Sequence, residues 1–327
     1  MRRRSPVVVI VSAALVGMVS VGAGTPASGA GRSLPGTDCP VFPATSVWHG
    51  DISDLPVHPR SDEWLSHMSP DRSLHPDFGP SYGEQPVPYG IPITVVGGAH
   101  ATVRVRFQYA DESDRVRYPL GSDTRIEGGQ GSDGDRHAIV VDRSTCRLYE
   151  TFATYRSVSG RWRAGSGATW RLTRNALRPD GWTSADAAGL PVLPGLLRPG
   201  EVRRGHVDHA IRFTTNVTDR RHVWPARHDA GSVSDPSYPP MGAWFRLEAS
   251  FPLSSFRPDT RAVLRAMMRH GLVLADNGSP WFFQGARSTR WPEGLLDELT
   301  SVPASAFEAV DTSELQVSPD SGAARRP

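Results

Sequence analysis

The densest group of side chains able to do chemistry lies within residues 205–229 and comprises His206, Asp208, His209, Arg212, His222, Arg227 and His228. Four of the chain's 11 histidines fall in this window, which places a candidate site there. Read as a strand, His209, Ile211 and Phe213 share one face and Ala210, Arg212 and Thr214 the other, because side chains alternate along extended backbone. In a lined cleft His209 can act as general acid or base, since imidazole titrates near neutrality. The competing expectation for His209 is a core histidine bonded to a neighbour. A zinc site from His206, His209 and His222 or His228 needs ligands that converge on one point, whereas strand residues three apart face opposite ways. The zinc-peptidase helix pattern of two histidines with a glutamate between them is absent. The expectation is therefore no metal and no cofactor.

Trp224-Pro225-Ala226-Arg227-His228 follows, and its aromatic-plus-cation character suits a binding loop. Indole faces stack on sugar C–H surfaces and on cations, while the arginine fork matches a carboxylate. Trp224, Arg227 and Trp281 are the candidate ligand-binding residues, with most of the nine tryptophans expected in the core. Carboxylates are plentiful but form no recognisable pair; Glu127, Asp133, Asp135, Asp142, Asp186, Asp208 and Asp276 each qualify. Asp276 closes an apolar strand, and a hairpin turn accounts for it equally well. The catalytic candidates are thus His209, Arg212, His228 and Asp276. Gly165-Ser166-Gly167 lacks the spacing of a nucleophile elbow, and phosphate-loop and dinucleotide fingerprints are absent.

These residues need a scaffold, and the alternation of the chain predicts one that is mainly β. Strands are expected over 91–96, 101–109, 138–142, 147–155, 168–172, 209–215, 244–249 and 306–310, separated by Gly-, Ser- and Asp-rich turns. Many short strands with frequent turns predict a β-sandwich or jelly-roll-like single domain with one or two short helices. Val263, Leu264, Met267 and Met268 have the spacing of a buried helix face, ending near His270-Gly271. Residues 272–275 and 281–284 flank Asp276-Asn277-Gly278-Ser279 and read as a hairpin. Residues 175–202 read as a long loop carrying a short helical turn at 183–189, and loops of that length are often functional.

The organisation expected is a signal peptide at 1–30, an extended strap at 31–90, a β-rich domain at 91–311 and a loose tail at 312–327. Arg2, Arg3 and Arg4, the apolar residues 7–21 and the small residues Ser28 and Ala30 form an export signal cleaved after Ala30. Export predicts a disulfide between the two cysteines, Cys39 and Cys146. No later segment is long and apolar enough to cross a bilayer. All 36 basic residues are arginine, and a net charge of +2 is too small to predict nucleic-acid binding.

Several phrases resemble those of a family of secreted proteins from high-GC Gram-positive bacteria. They include Asp135-Arg136-His137-Ala138-Ile139, Cys146-Arg147-Leu148-Tyr149-Glu150, His209-Ala210-Ile211-Arg212-Phe213-Thr214, Trp224-Pro225-Ala226-Arg227-His228 and Leu274-Ala275-Asp276-Asn277-Gly278. The resemblance implies export and one continuous domain, and it carries over no activity or catalytic residue. The function expected from the His, Arg and Trp cluster in an exported β-rich chain is an extracellular carbohydrate-active enzyme, a polysaccharide lyase or hydrolase. A non-catalytic protein binding a polysaccharide or cell-surface glycan is the first alternative, and a metal-dependent hydrolase the second.

Overall fold

β-Branched and aromatic runs become strands where a neighbouring layer can bury one face. In the computed structural model, which describes residues 33–80 and 87–325, such strands build a mainly β fold with its helices at the margins. The largest sheet is six-stranded and mixed. Its order is His75–Asp77, Phe282–Gln284, Ile211–Thr215, Leu272–Asn277, Trp244–Leu247 and Phe307–Val310. One face of it carries Ile211, Phe213, Leu272 and Leu274 into the main core. Phe213 packs edge-on against Phe245 at 5.4 Å, and Trp281 lies 5.5 Å from Phe213 and 5.3 Å from Phe307. Aromatic groups in these tilted arrangements add directional attraction to the area they bury.

A second sheet joins Gly167–Arg171, Arg147–Thr151, Ala138–Asp142 and Ile93–Val96. Its register places Ile139, Val141, Leu148, Glu150 and Trp170 on one face. The apolar members of that set join the main core. The opposite face, with Val140 and Val96, packs on a smaller core shared with Tyr118, Leu120 and Trp162. Tyr118 and Trp162 belong to a third sheet of Arg117–Tyr118, Val103–Phe107, Trp162–Ala164 and Tyr155–Arg156.

The helix Pro258–Arg269 starts with proline at its first position and buries Val263, Leu264 and Met267. Its N-terminus is covered from another element: the Arg257 amide donates to Glu298 Oε2 at 3.1 Å, and the Thr260 hydroxyl bonds the same carboxylate. Gly271, at φ +74°, turns the chain into the next strand. No helix among the described residues is long and apolar enough to cross a membrane.

Two expectations need correction. The strands flanking Asp276-Asn277-Gly278-Ser279 are not a hairpin. Ile211–Thr215 lies between them, parallel to Leu272–Asn277 and antiparallel to Phe282–Gln284. The segment bridges a full strand width, and Asn277 bonds Thr218 and the Ala230 carbonyl instead of closing a turn. The segment after Asp311 is not loose either: Thr312, Leu315 and Ala324 are buried, and the Ala324 amide donates to the Thr45 carbonyl at 2.8 Å. The expected export segment, 1–30, lies outside the described residues. Residues expected as a strap supply Trp48, Ile52, Trp64, Met68 and Phe78 to the main core.

Cys39 and Cys146 are bonded across a sequence separation of 107. Closing so long a loop removes denatured-state entropy worth roughly 4–5 kcal/mol in the chain-entropy treatment. Urea unfolding with and without reductant should show a loss of that order. A loss under about 1 kcal/mol would mean that core packing alone holds residues 33–80 in place.

Candidate functional site

Arg212 sits in a fully apolar setting by sequence, between Ile211 and Phe213, yet its guanidinium is buried. Such a cation must be matched by acceptors. Its Nε and Nη2 donate to the two oxygens of Asp186 at 2.9 and 2.8 Å, Nη1 bonds Gln284, and Nη2 lies 3.7 Å from Asp276 Oδ2. Two neighbouring strands and one loop supply these partners. Asp77 pairs with Gln284 in the register and bonds its side chain. One row across the sheet therefore reads Asp77, Gln284 and Arg212, and Asp276 stands on the same face one pair further along, opposite Thr214.

Asp276 joins this face through an irregularity. Ile211, Arg212 and Phe213 pair with Leu272, Val273 and Leu274, but Thr214 pairs with Asp276, so Ala275 is an extra residue. Such a bulge shifts by one which face the following side chains take. In unbroken alternation Asp276 would pair with Thr215 and point into the apolar core. The bulge turns it onto the face of Arg212 and Thr214. The freed Ala275 carbonyl accepts the Ala188 amide at 2.9 Å.

The loop that brings Asp186 is buried, which is unusual because loop amides normally need water. Side chains replace the water. Glu150 accepts the amides of Val192 and Leu193, both at 2.8 Å, and the Ser184 hydroxyl accepts the Asp186 amide at 2.9 Å. His137, from the second sheet, donates through Nε2 to the Ala185 carbonyl at 3.1 Å and through Nδ1 to Glu127 at 2.6 Å. The helical turn expected at 183–189 is replaced by this bonded loop, and helix forms later, over Pro199–Arg203.

Protonation follows from these surroundings. Burial first, and then the Asp186 charge, push the Asp276 carboxyl up to about 7 against the pull of Arg212. Burial likewise lifts Glu150 to about 7 despite its two amide donors. Burial lifts Asp77 as well. Burial works against a charged His137, but the adjacent Glu127 carboxylate outweighs it and raises the imidazole to about 9. Glu127 is held below the ordinary range, where burial is overcome by His137.

Above this network opens a cleft of about 480 Å³ with Asp276, Asp186 and His228 in its lining. Asp276 keeps 26 % of its side chain accessible there. His228 donates from Nδ1 to the Ala187 carbonyl at 2.7 Å, which leaves Nε2 as the free position, 3.7 Å from Glu112. Tyr109 and Phe152 supply aromatic walls, and Glu112, Asp135 and Asp229 supply carboxylates. Among the described residues no arginine lines it.

Three of the four catalytic candidates from the sequence thus gather at the cleft: His228 and Asp276 in its wall, and Arg212 bonded beneath. His209 does not. It is buried, donates from Nδ1 to the Ala210 carbonyl at 2.8 Å, and places Nε2 3.3 Å from Glu201, which Arg198 also bonds. The ligand-binding candidates are engaged in structure. Trp281 is fully buried and donates to the Met68 carbonyl, Trp224 donates to the Ser321 carbonyl, and Arg227 holds the Arg178 and Pro319 carbonyls and Asp320. His222 bonds Asp180. No three His, Cys, Asp or Glu side chains gather as a metal site among the described residues.

The fold and the cleft define a mainly β protein with a buried charge network beneath an acid-lined cavity. Set against family models, curated proteins and solved structures, the chain gives no match.

The Glu127–His137 pair makes a measurable prediction. A raised imidazole stabilises fully below its unfolded value of 6.5, and that stabilisation is lost as pH rises through about 9. Glu127→Gln should cost about 1–3 kcal/mol at pH 6 and flatten this alkaline loss. The His137 resonance, followed by NMR, should titrate near 9 in the wild type and below the ordinary histidine range in the variant. An unchanged midpoint would remove Glu127 as the cause.

Proposed function

We propose that the protein is an extracellular polysaccharide hydrolase in which Asp276 is the general acid and His228 the general base. The observation that carries this reading is a carboxyl raised by burial to about 7 in the wall of a cleft that an imidazole of fixed tautomer also lines. A general acid must keep its proton at working pH and stay in reach of the leaving oxygen, and burial beside a second carboxylate achieves this. Arg212 is a positioning residue: its bond to Asp186 fixes that charge and limits how far Asp276 is raised.

The chemistry balances with one water. His228 Nε2 takes a proton from water as its oxygen attacks the anomeric carbon. Asp276 gives its proton to the departing glycosidic oxygen, and the proton on His228 returns to Asp276 through solvent. Tyr109, 48 % exposed in the lining, offers a ring to a sugar face. The hydrolase branch is favoured over the lyase because a uronate would meet Glu112, Asp135 and Asp229 with no arginine in the lining to neutralise it. A lyase based on His209 lacks support, since both of its ring nitrogens are engaged in the core. The disulfide agrees with an oxidising, extracellular location.

A reducing-end screen of the secreted protein against neutral, amino and uronic polysaccharides should give turnover on a neutral or amino polymer. Activity should fall as pH rises above about 7, and Asp276→Asn should lower kcat by roughly a hundredfold or more while removing that alkaline limb. Binding without turnover on the whole panel, or full activity of Asp276→Asn, would replace the enzyme with a glycan-binding protein.

A further inference from the structure

We propose that the outer face of the third sheet binds an acidic polysaccharide, independently of the hydrolase reading. In this sheet Val103, Val105 and Phe107 face the smaller core with Trp162 and Tyr118, so Arg104 and Arg106 face outward. The register sets Arg117 beside Arg104 and Arg163 beside Arg106. Four arginine side chains therefore rise from one pleated surface, their backbone positions spaced ~4.8 Å between strands and ~6.8 Å along them.

Their charge is uncompensated. Among the described residues no carboxylate lies within ion-pair distance of Arg104, Arg106 or Arg163. Arg117 bonds only the hydroxyl and carbonyl of Thr102, both neutral. Arg115, at the rim, is the one matched cation, 2.6 Å from Asp111. Arg104, Arg106, Arg115 and Arg117 border a groove of about 770 Å³ whose apolar lining includes Phe107 and Val116. Such a surface is costly to leave bare of anions, because like charges at these spacings repel.

The occupant follows from the layout. A single phosphate or sulfate needs donors converging on one point, whereas these forks are spread over a grid. A stiff polymer with one carboxylate per sugar presents anions at intervals and gives C–H faces to the apolar lining, and the arginine fork matches each carboxylate in two bonds. Single-stranded nucleic acid is bound on rows of exposed aromatic rings, and only Tyr155 shares this face, beside Arg163. An anionic membrane calls for an apolar face to insert, whereas Val158, at the adjoining turn, and Val116, in the groove, are separate exposed side chains among arginines. The groove and the cleft meet at one 3-10 turn, Ala110–Glu112, with Ala110 lining the first and Glu112 the second. A polymer held in the groove would anchor the protein beside the chain it works on.

The test is titration of the full secreted chain with oligogalacturonate, neutral dextran, single-stranded DNA and anionic phospholipid vesicles at low and moderate salt. Oligogalacturonate should bind, more weakly as salt rises, and dextran should not. Arg104→Ala with Arg106→Ala should weaken binding by about tenfold or more at unchanged Tm, and Arg104→Lys with Arg106→Lys should fall between, since charge remains while the fork is lost. Asp276→Asn should bind as the wild type does, which separates this surface from the cleft. Absence of oligogalacturonate binding, equal binding by the alanine or lysine pair, or tighter binding of DNA or vesicles would each overturn the assignment.

Discussion

A guanidinium cannot shed its proton, so a buried arginine dictates its surroundings more strictly than any other side chain. Arg212 is such a residue, and much of the architecture can be traced to it. Asp186 must enter the interior to pair with it, which obliges the loop around residue 186 to be buried too. That loop then requires acceptors and donors of its own, which Glu150, Ser184 and His137 provide. Each of those is polar and buried in turn, and the network closes only when Glu127 and Gln284 are in place. Partial networks of this kind are worse than apolar packing, so the members are expected to stand or fall together.

The six-stranded sheet reconciles this polar layer with an aromatic core by dividing the two between its faces. The division would exclude Asp276 were the strand regular. One extra residue, Ala275, moves the carboxyl from the apolar side to the cleft without interrupting the sheet for more than a single pair. The cost of the broken pairing is reduced because the Ala275 carbonyl finds the Ala188 amide, in the same loop that carries Asp186. Bulge and buried loop thus hold each other, and Asp186 and Asp276 meet where they do for one shared reason.

Much of the scaffold was legible in the sequence because burial on one face writes an alternating pattern. Val103–Phe107 and the helix Pro258–Arg269 announce themselves in this way, and two cysteines in a chain expected to be exported define their own bond. Pattern fails where pairing is non-local: the turn-like Asp276-Asn277-Gly278-Ser279 sits between strands that a third strand separates, and nothing local encodes that insertion. At the site, His228, Arg212 and Asp276 could be picked out by type, whereas His209 has the same chemistry and is consumed by Glu201. Glu150 carries a readable signal, an acid on the same strand face as Leu148. His137 left a weaker one, and Asp77 and Gln284 left none, because only the sheet order places them beside Arg212.

The absence of lysine, met first as a compositional oddity, has a further meaning for how this molecule responds to its medium. Every side chain that is permanently cationic here is a guanidinium, and guanidiniums hold their charge far into alkali. Side-chain titration between mild acid and mild alkali therefore belongs to carboxyls and imidazoles, and the fold has displaced several of them, Glu150 and Asp276 up to about 7 and His137 up to about 9. The arginine charge is a constant, and the carboxyl and imidazole charge a variable. An acidifying or alkalising environment can retune the cleft while leaving the arginine-bearing sheet as it was, so attachment and reactivity need not share a pH range.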